Sequence, residues 1–467
     1  MQVAADNLWA TVQDATEDEI AWLAAYLSVP VKNAEHSEAY QAGHWDGMVR
    51  LYDSRRQRFA SGLVRMVHGR ARESGIRVVV EDAREKPGAP VDLAAGPWLR
   101  DYQRDALNAM LARGRGIVSI PTGGGKTQVL AAIAQAIPID WLVLVDTKDL
   151  MHQGAKAIAA RLQEDVGEVG DGVWRPRRVT VATLQTLYQG VDTDGRVNAL
   201  LERARGLLCD EVQVVSAPQA HQVAFACPNA YYRFGVSATP LEREDEADYR
   251  AIEALGPLIY DVPATDLIAA GWLARPEIYF VEHRHDRMTG SFAEVYEAGV
   301  VYSEARNELV ARLAGEALSP RPTLLFFKKH AHAPRLERLV NRHATVEVID
   351  GRNNTRARDR ARHRLVTGQV DVLMTSKIFN KGVDMPAVES AVNAAAGAST
   401  TDAVQKVGRI MRPAGGQKTV VRFWDVFDRR NRWLEDHACR RMEAFRGRGY
   451  DVRVVDPRDL PSISKTP

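Results

Sequence analysis

The chain has 467 residues, 45% of them apolar and 26% charged, with a formal net charge of +2. That length predicts two to four domains and the apolar share is ample for packed cores, while near-neutrality means that charge by itself announces no nucleic-acid partner. The cysteines Cys209, Cys227 and Cys439 form no C-x-x-C pair, which excludes a zinc ribbon and a disulfide framework. The first residues are acidic rather than basic-then-apolar, and no apolar run is long enough to span a bilayer. A cytoplasmic protein with no membrane partner is expected. Of the 62 basic residues, 12 are lysine and 50 arginine. Arginine suits bidentate phosphate contacts, but the abundant alanine beside it points mainly to a genome rich in G and C.

Residues 1–95 precede the first strong motif. Asp14 to Leu27 places Ile20, Leu23, Ala24 and Leu27 at helical spacing behind an acidic start, which predicts a helix. His44 to Tyr52 holds an Asp46-Gly47 turn signal followed by alternating apolar residues. Ser54 to Gln57 reads as the next turn, and Phe59–Val67 and Ile76–Val80 read as strands. Trp45, Tyr52 and Phe59 are expected in a core, while Arg55, Arg56 and Arg58 are candidate phosphate contacts. Glu85 to Pro97 is rich in Pro and Gly and reads as a linker.

Gly116 to Ile120 reads as a short apolar strand, Pro121 to Gly125 as a Gly-rich loop, and Lys126-Thr127 as the start of a helix. Strand, loop and helix in that order bind a nucleoside triphosphate. The backbone from Thr122 through Gly123, Gly124 and Gly125 would cradle phosphate oxygens. Lys126 would reach the β and γ phosphates, and Thr127 would offer its hydroxyl to magnesium. Ile120 stands where the general pattern has Gly. About eighty residues on, the apolar Leu207–Cys209 runs into Asp210-Glu211. A strand ending in two carboxylates suits a metal ligand, Asp210, beside a group that orients or deprotonates water, Glu211. Strands and helices alternate beyond this point, which predicts a doubly wound parallel sheet. Asp261 to Ala274 reads as the crossover into a second such domain, with a polar stretch at Arg284–Gly299. Arg352 to Arg364 carries six arginines and one acid at helical spacing, a solvated helix or a nucleic-acid contact.

Together these segments resemble a superfamily 2 helicase or translocase from Trp98 to Val455. Leu99–Gln103 resembles the adenine-recognition motif, and Pro121–Thr127 is motif I. Val145–Leu150 with Gln153 resembles motif Ia, and Val181–Gln185 motif Ib. Asp210–Gln213 is motif II and Ser237–Pro240 motif III. Leu324–Lys328 resembles motif IV, Thr375 with Lys381–Asp384 motif V, and Gln405–Arg412 motif VI. The Trp45-Asp46-Gly47 and Arg50–Asp53 segments resemble, less specifically, the first domain of UvsW-type bacteriophage helicases and the domain beside the XPB motor.

The resemblance implies an α/β fold of two tandem RecA-like parallel-sheet domains, preceded by a small α+β domain. The expected boundaries are 1–95, 96–262, 263–456 and a loose tail at 457–467. It implies ATP and magnesium as cofactors, held between the two motor domains. Arg100 and Gln103 would contact adenine, and Gly382 and Asp384 the ribose side. Gln405 would hold the attacking water or the γ phosphate, and Arg409 and Arg412 would supply positive charge to the γ phosphate. Gln213, where relatives usually carry His, would link the ATP site to Ser237 and Thr239. Nucleic acid would meet Lys148, Thr183, Gln185, Lys328, Lys329, Thr375 and Ser376, mainly through phosphate and sugar. The expected function is an ATP-dependent DNA helicase remodelling branched DNA in recombination and repair, moving 3′ to 5′. An RNA helicase and a duplex translocase without strand separation are the alternatives.

Overall fold

The computed structural model describes residues 1–88, 98–241, 248–286, 288–315, 322–376, 387–412 and 418–460. Seven strands lie in the first 82 residues: β1 (Gln2–Ala5), β2 (Trp9–Asp14), β3 (Ser28–Pro30), β4 (Met48–Arg50), β5 (Tyr52–Asp53), β6 (Arg58–Ala60) and β7 (Val79–Asp82). Five of them form a sheet in the order β5-β6-β2-β1-β7, and β3 pairs with β4. The helix expected over Asp14–Leu27 is present at Glu17–Tyr26, starting three residues later. Thr16 accepts from the Glu19 amide and the Glu19 carboxylate accepts from the Thr16 amide, so two end donors are satisfied.

One expected strand is a helix. Phe59–Val67 extends only through Ala60, turns at Ser61–Leu63 and becomes the helix Val64–Glu73. Val67 and Ala71, four residues apart, are its buried face, so the governing period is helical rather than two. The Ile76–Val80 strand lies slightly later, at Val79–Asp82. Tyr52 and Phe59 are buried, while Trp45 is half-buried and donates its indole N–H to the Met48 carbonyl.

This sheet is seated on the first nucleotide-binding fold. Trp9 packs on Phe225 with ring centroids 5.4 Å apart. Asn7 donates to the Pro228 carbonyl at 3.0 Å, and the buried Arg115 donates to the Asn7 carbonyl at 2.8 Å. A Cβ on Gly62 would lie 2.1 Å from the Ile252 carbonyl oxygen, so only Gly permits that approach.

The next eight strands are β8 (Arg115–Ser119), β9 (Trp141–Val145), β10 (Gly167–Gly170), β11 (Val173–Arg175), β12 (Val179–Thr183), β13 (Gly206–Asp210), β14 (Tyr232–Ser237) and β15 (Leu258–Asp261). Their order is β11-β10-β12-β9-β13-β14-β8-β15, parallel except for the β10–β11 pair. The last seven are β16 (Arg275–Arg284), β17 (Thr323–Phe326), β18 (Val346–Ile349), β19 (Val372–Thr375), β20 (Ser390–Asn393), β21 (Val420–Arg429) and β22 (Asp451–Val455). They form a parallel sheet in the order β18-β19-β17-β20-β21-β16-β22. Central strands such as β8, β9, β12, β17 and β19 are buried along their whole length, as a sheet covered by helices on both faces requires. The protein is thus α/β, with two tandem RecA-like sheets behind a small α+β domain. It divides into two compact units. One is Met1–Pro121 with Gly125–Val262, the other Pro263–Pro467 with Thr122–Gly124.

Candidate nucleotide site

Strand order decides which motifs meet. β13, β14 and β8 are adjacent and parallel, with Asp210 opposite Val236 and Ser237 opposite Ser119. Motifs I, II and III therefore leave the sheet side by side at its carboxyl edge, where open α/β sheets bind ligands.

The helix Lys126–Ala136 begins directly after Gly125, whose φ is 81°; Gly123 has φ 89°. Left-handed glycines at a helix start turn successive amides toward an anion. A Cβ at Gly125 would also lie 2.5 Å from Gln103 Nε2, so any side chain there would displace the end of Gln103. Gln103 is buried, and its Oε1 accepts from the Arg100 amide at 3.1 Å. Arg100 in turn donates to the Tyr102 hydroxyl at 3.0 Å. The adenine motif is thus physically packed against the phosphate loop.

A chain of polar contacts runs from motif I to motif III. Lys126 Nζ lies 3.3 Å from Glu211 Oε1. Gln213 Nε2 donates to Glu211 Oε2 at 2.8 Å, and the Ser237 hydroxyl donates to Gln213 Oε1 at 2.8 Å. The same Ser237 oxygen accepts from the Thr239 amide at 3.1 Å. Glu211 adopts φ 68°, a strained conformation for a non-glycine residue of the kind that clusters at functional sites. The amide of Gln213 uses both ends, donor and acceptor, which is what the position demands.

Asp210 Oδ1 is buried and accepts no hydrogen bond. Burial, and then the neighbouring Glu211 charge, push its carboxyl up to about 6, against the pull of Lys126. An unbonded carboxylate oxygen at this sheet edge suits a divalent cation better than solvent. These residues fit magnesium.

The remaining predicted residues fall as follows. Thr122 and Thr127 are half-buried and Gly124 is buried. In the second unit, Gln405 and Arg409 lie on the helix Thr400–Ile410, and Arg412 follows it; Arg409 is buried. Gly382 and Asp384 lie outside the described residues. Lys148 and Gln185 are exposed beyond the carboxyl ends of β9 and β12; Lys148 pairs with Asp171 at 3.2 Å. Lys328 and Lys329 are exposed after β17, Lys328 over the Tyr296 ring and Lys329 3.0 Å from Glu297. Thr183 and Thr375 are buried, with hydroxyls donated to Thr186 and to the Ser376 carbonyl; Ser376 is buried as well. Their side chains are therefore less available to a ligand than the lysines. Arg55 and Arg56 are exposed, whereas Arg58 is half-buried with its guanidinium 3.9 Å from the Trp9 ring centre. The exposed arginines of the helix Thr355–Val366 include Arg356, Arg360, Arg362 and Arg364, the last 3.1 Å from Glu347. Sequence reasoning missed Asp171, whose Gly170-Asp171-Gly172 turn was the available signal.

The family described as "Type III restriction enzyme, res subunit" matches residues 97–242, and "Helicase conserved C-terminal domain" matches 305–414. The DNA 3'-5' helicase XPB of Kineococcus radiotolerans is 30% identical over 390 residues, covering 79% of this chain and 67% of the relative. The chain belongs to the XPB-type family of superfamily 2 helicases. The ATP-dependent DNA helicase uvsW of Enterobacteria phage T4 is 21% identical over 451 residues, covering 89% and 88% of the two chains. Among solved structures, Saccharomyces cerevisiae Dbp5 bound to RNA and ADP BeF3 shares the fold at 15% identity, with a TM-score of 0.55 over 78% of this chain and 92% of that one. Among the described residues no helix is long and apolar enough to cross a membrane.

Proposed function

We propose that this helicase uses ATP hydrolysis to move 3′ to 5′ on DNA and to remodel branched DNA during recombination and repair. The observation that carries the reading is the Lys126–Glu211–Gln213–Ser237 chain beside the unbonded Asp210 oxygen. Lys126 and the amides of the phosphate loop would hold the β and γ phosphates. Thr127 and Asp210 would hold magnesium, which when bound neutralises charge building on the phosphates. Glu211 would orient the attacking water and take its proton. Arg409 and Arg412, read from motif VI, would supply cationic charge to the transferring phosphoryl group. Gln213 would carry the state of Glu211 to Ser237 and the Thr239 amide.

Lys148, Gln185, Lys328 and Lys329 would contact phosphate and sugar, which gives little sequence preference. The match to uvsW spans 89% of this chain and so extends into the residues before the motor; exposed Arg55 and Arg56 would be that domain's DNA contacts. The test is ATPase stimulation by single-stranded DNA, duplex DNA, four-way junctions and single-stranded RNA. Greatest stimulation by junctions is expected. Greatest stimulation by RNA would replace this reading with an RNA helicase, and stimulation by duplex without unwinding would replace it with a translocase.

A further inference from the structure

The segment that joins β20 to the motif VI helix is held far more firmly than a surface turn. The Ala394 carbonyl accepts from Arg306 Nη1 at 3.1 Å, the Ala395 carbonyl from the Tyr296 hydroxyl at 2.7 Å, and the Gly397 carbonyl from Arg441 Nη1 at 2.6 Å. Between them Ala396 adopts φ 47°, a left-handed conformation that alanine disfavours. Three side chains from three different helical segments thus grip consecutive parts of one strained loop, and the helix Thr400–Ile410 follows immediately.

The two arginines are themselves fixed. Arg306 donates through Nε and Nη2 to Asp428 at 2.8 and 3.1 Å, and Arg441 through Nε and Nη2 to Asp425 at 2.8 and 2.9 Å. All four side chains are essentially buried. Asp425 and Asp428 are an odd number of residues apart on β21, so they lie on opposite faces of the sheet. The loop is therefore clamped from both faces. Asp425 also accepts from Asn393 at 2.9 Å, and Asn393 accepts from Lys406 Nζ, on the motif VI helix itself, at 3.0 Å. Buried ion pairs are seldom more stabilising than packed apolar residues. Here each guanidinium turns its third nitrogen, Nη1, to a loop carbonyl, which an apolar pair could not do.

We propose that Tyr296, Arg306 and Arg441 are positioning residues that fix the loop Ala394–Gly397 and thereby set where Gln405, Arg409 and Arg412 stand. This rests on the reading of motif VI given above. Preorganised charge acts without reorganising at the moment of reaction, so small displacements of its carrier lower turnover more than binding.

The test uses the full chain with Tyr296→Phe, which removes one hydroxyl and keeps the ring, and Arg441→Lys, which keeps the charge beside Asp425 and loses the fork. ATPase at saturating DNA is read as kcat per nucleotide-binding site and as KM for ATP, with thermal unfolding as the check on folding. The expected result is a kcat lower by about fivefold or more, with KM within roughly a factor of two, in a folded protein. If Arg441→Lys does not fold, Tyr296→Phe carries the test. Unchanged kcat per site in folded Tyr296→Phe overturns the proposal, as does an equal loss in kcat and in ATP affinity. Arg412→Ala is measured alongside: normal turnover there would sink the motif VI reading itself, whereas a crippled Arg412→Ala beside a normal Tyr296→Phe would sink only the positioning role.

Discussion

Replacing Gln213 with Leu removes, among its contacts, the hydrogen bonds to Glu211 and from Ser237, and little volume. One bond joins Gln213 Nε2 to the Glu211 carboxylate at 2.8 Å, the other joins the Ser237 hydroxyl to Gln213 Oε1 at 2.8 Å. A hydrogen bond to a charged group contributes about 1.5–3 kcal/mol. If that bond is strongest when Glu211 is orienting water, its loss corresponds to roughly a ten- to hundredfold drop in kcat. The KM for ATP should move little, because Lys126 still faces Glu211 at 3.3 Å and the phosphate loop is untouched. Gln213→His keeps a ring donor for Glu211 and should retain most of the DNA-stimulated rate. Gln213→Glu places a second carboxylate against Glu211 and should be worse than Leu. The assay is steady-state ATPase with and without DNA, together with nucleotide binding. A Gln213→Leu protein with full DNA-stimulated turnover would refute the role of Gln213 in linking motifs II and III, which also touch directly through Ser237 and Glu211 at 3.3 Å.

Three further outcomes are expected. Lys126→Ala should lose hydrolysis and unwinding while melting near the parent temperature, since the half-buried amine pairs with Glu211 rather than filling the apolar core; normal turnover by the folded variant would remove the nucleotide site. Arg55→Gln with Arg56→Gln should flatten the salt dependence of duplex binding by about 0.9 in log–log slope for each phosphate no longer neutralised. An unchanged slope would place the DNA elsewhere. His332 is buried, with Nε2 2.7 Å from Asn307 Oδ1 and an Nδ1 that has no hydrogen-bond partner. Burial, then the Arg306 and Arg335 charges, push its pKa down to about 3. The unfolded chain takes up a proton near pH 6.5 that the folded protein refuses, so stability falls as pH drops from there toward 3. The loss is about 1.4 kcal/mol at pH 5.5. Urea midpoints at pH 7.5 and 5.5 should therefore differ more for the parent than for His332→Gln; equal differences would show that His332 does not titrate this way.

The phosphate loop and the Asp210-Glu211 strand end were legible because their chemistry requires particular residues at short, fixed spacing. The parallel sheets were legible because buried strands read as unbroken apolar runs. Phe59–Val67 misled because Phe59, Leu63, Val64 and Val67 suit either a strand or a helix, and the four-residue spacing of buried Val67 and Ala71 shows only once Ala71 is counted with them. The buried roles of Arg306 and Arg441 could not be read at all. Each is one arginine among 50, and the carboxylates that bury them lie 122 and 16 residues away. A link from Gln213 to Ser237 and Thr239 was expected from the motif resemblance, and the register of β13 beside β14 shows which atoms touch.

The seam between the first sheet and the nucleotide-binding fold bears on how this protein can be taken apart. Trp9 and the Ser61–Gly62 turn sit on the helices Pro218–Phe225 and Tyr249–Leu255, which follow motifs II and III. Cutting the chain at the Pro- and Gly-rich linker would strip cover from Phe225, Tyr249 and Ile252 and leave the Arg115 guanidinium without the Asn7 carbonyl. A deletion there would produce a motor with a raw apolar face, and any loss of activity could be blamed on aggregation. For engineers who wish to graft this N-terminal sheet onto another motor, the portable module is the whole of Met1 to Val262.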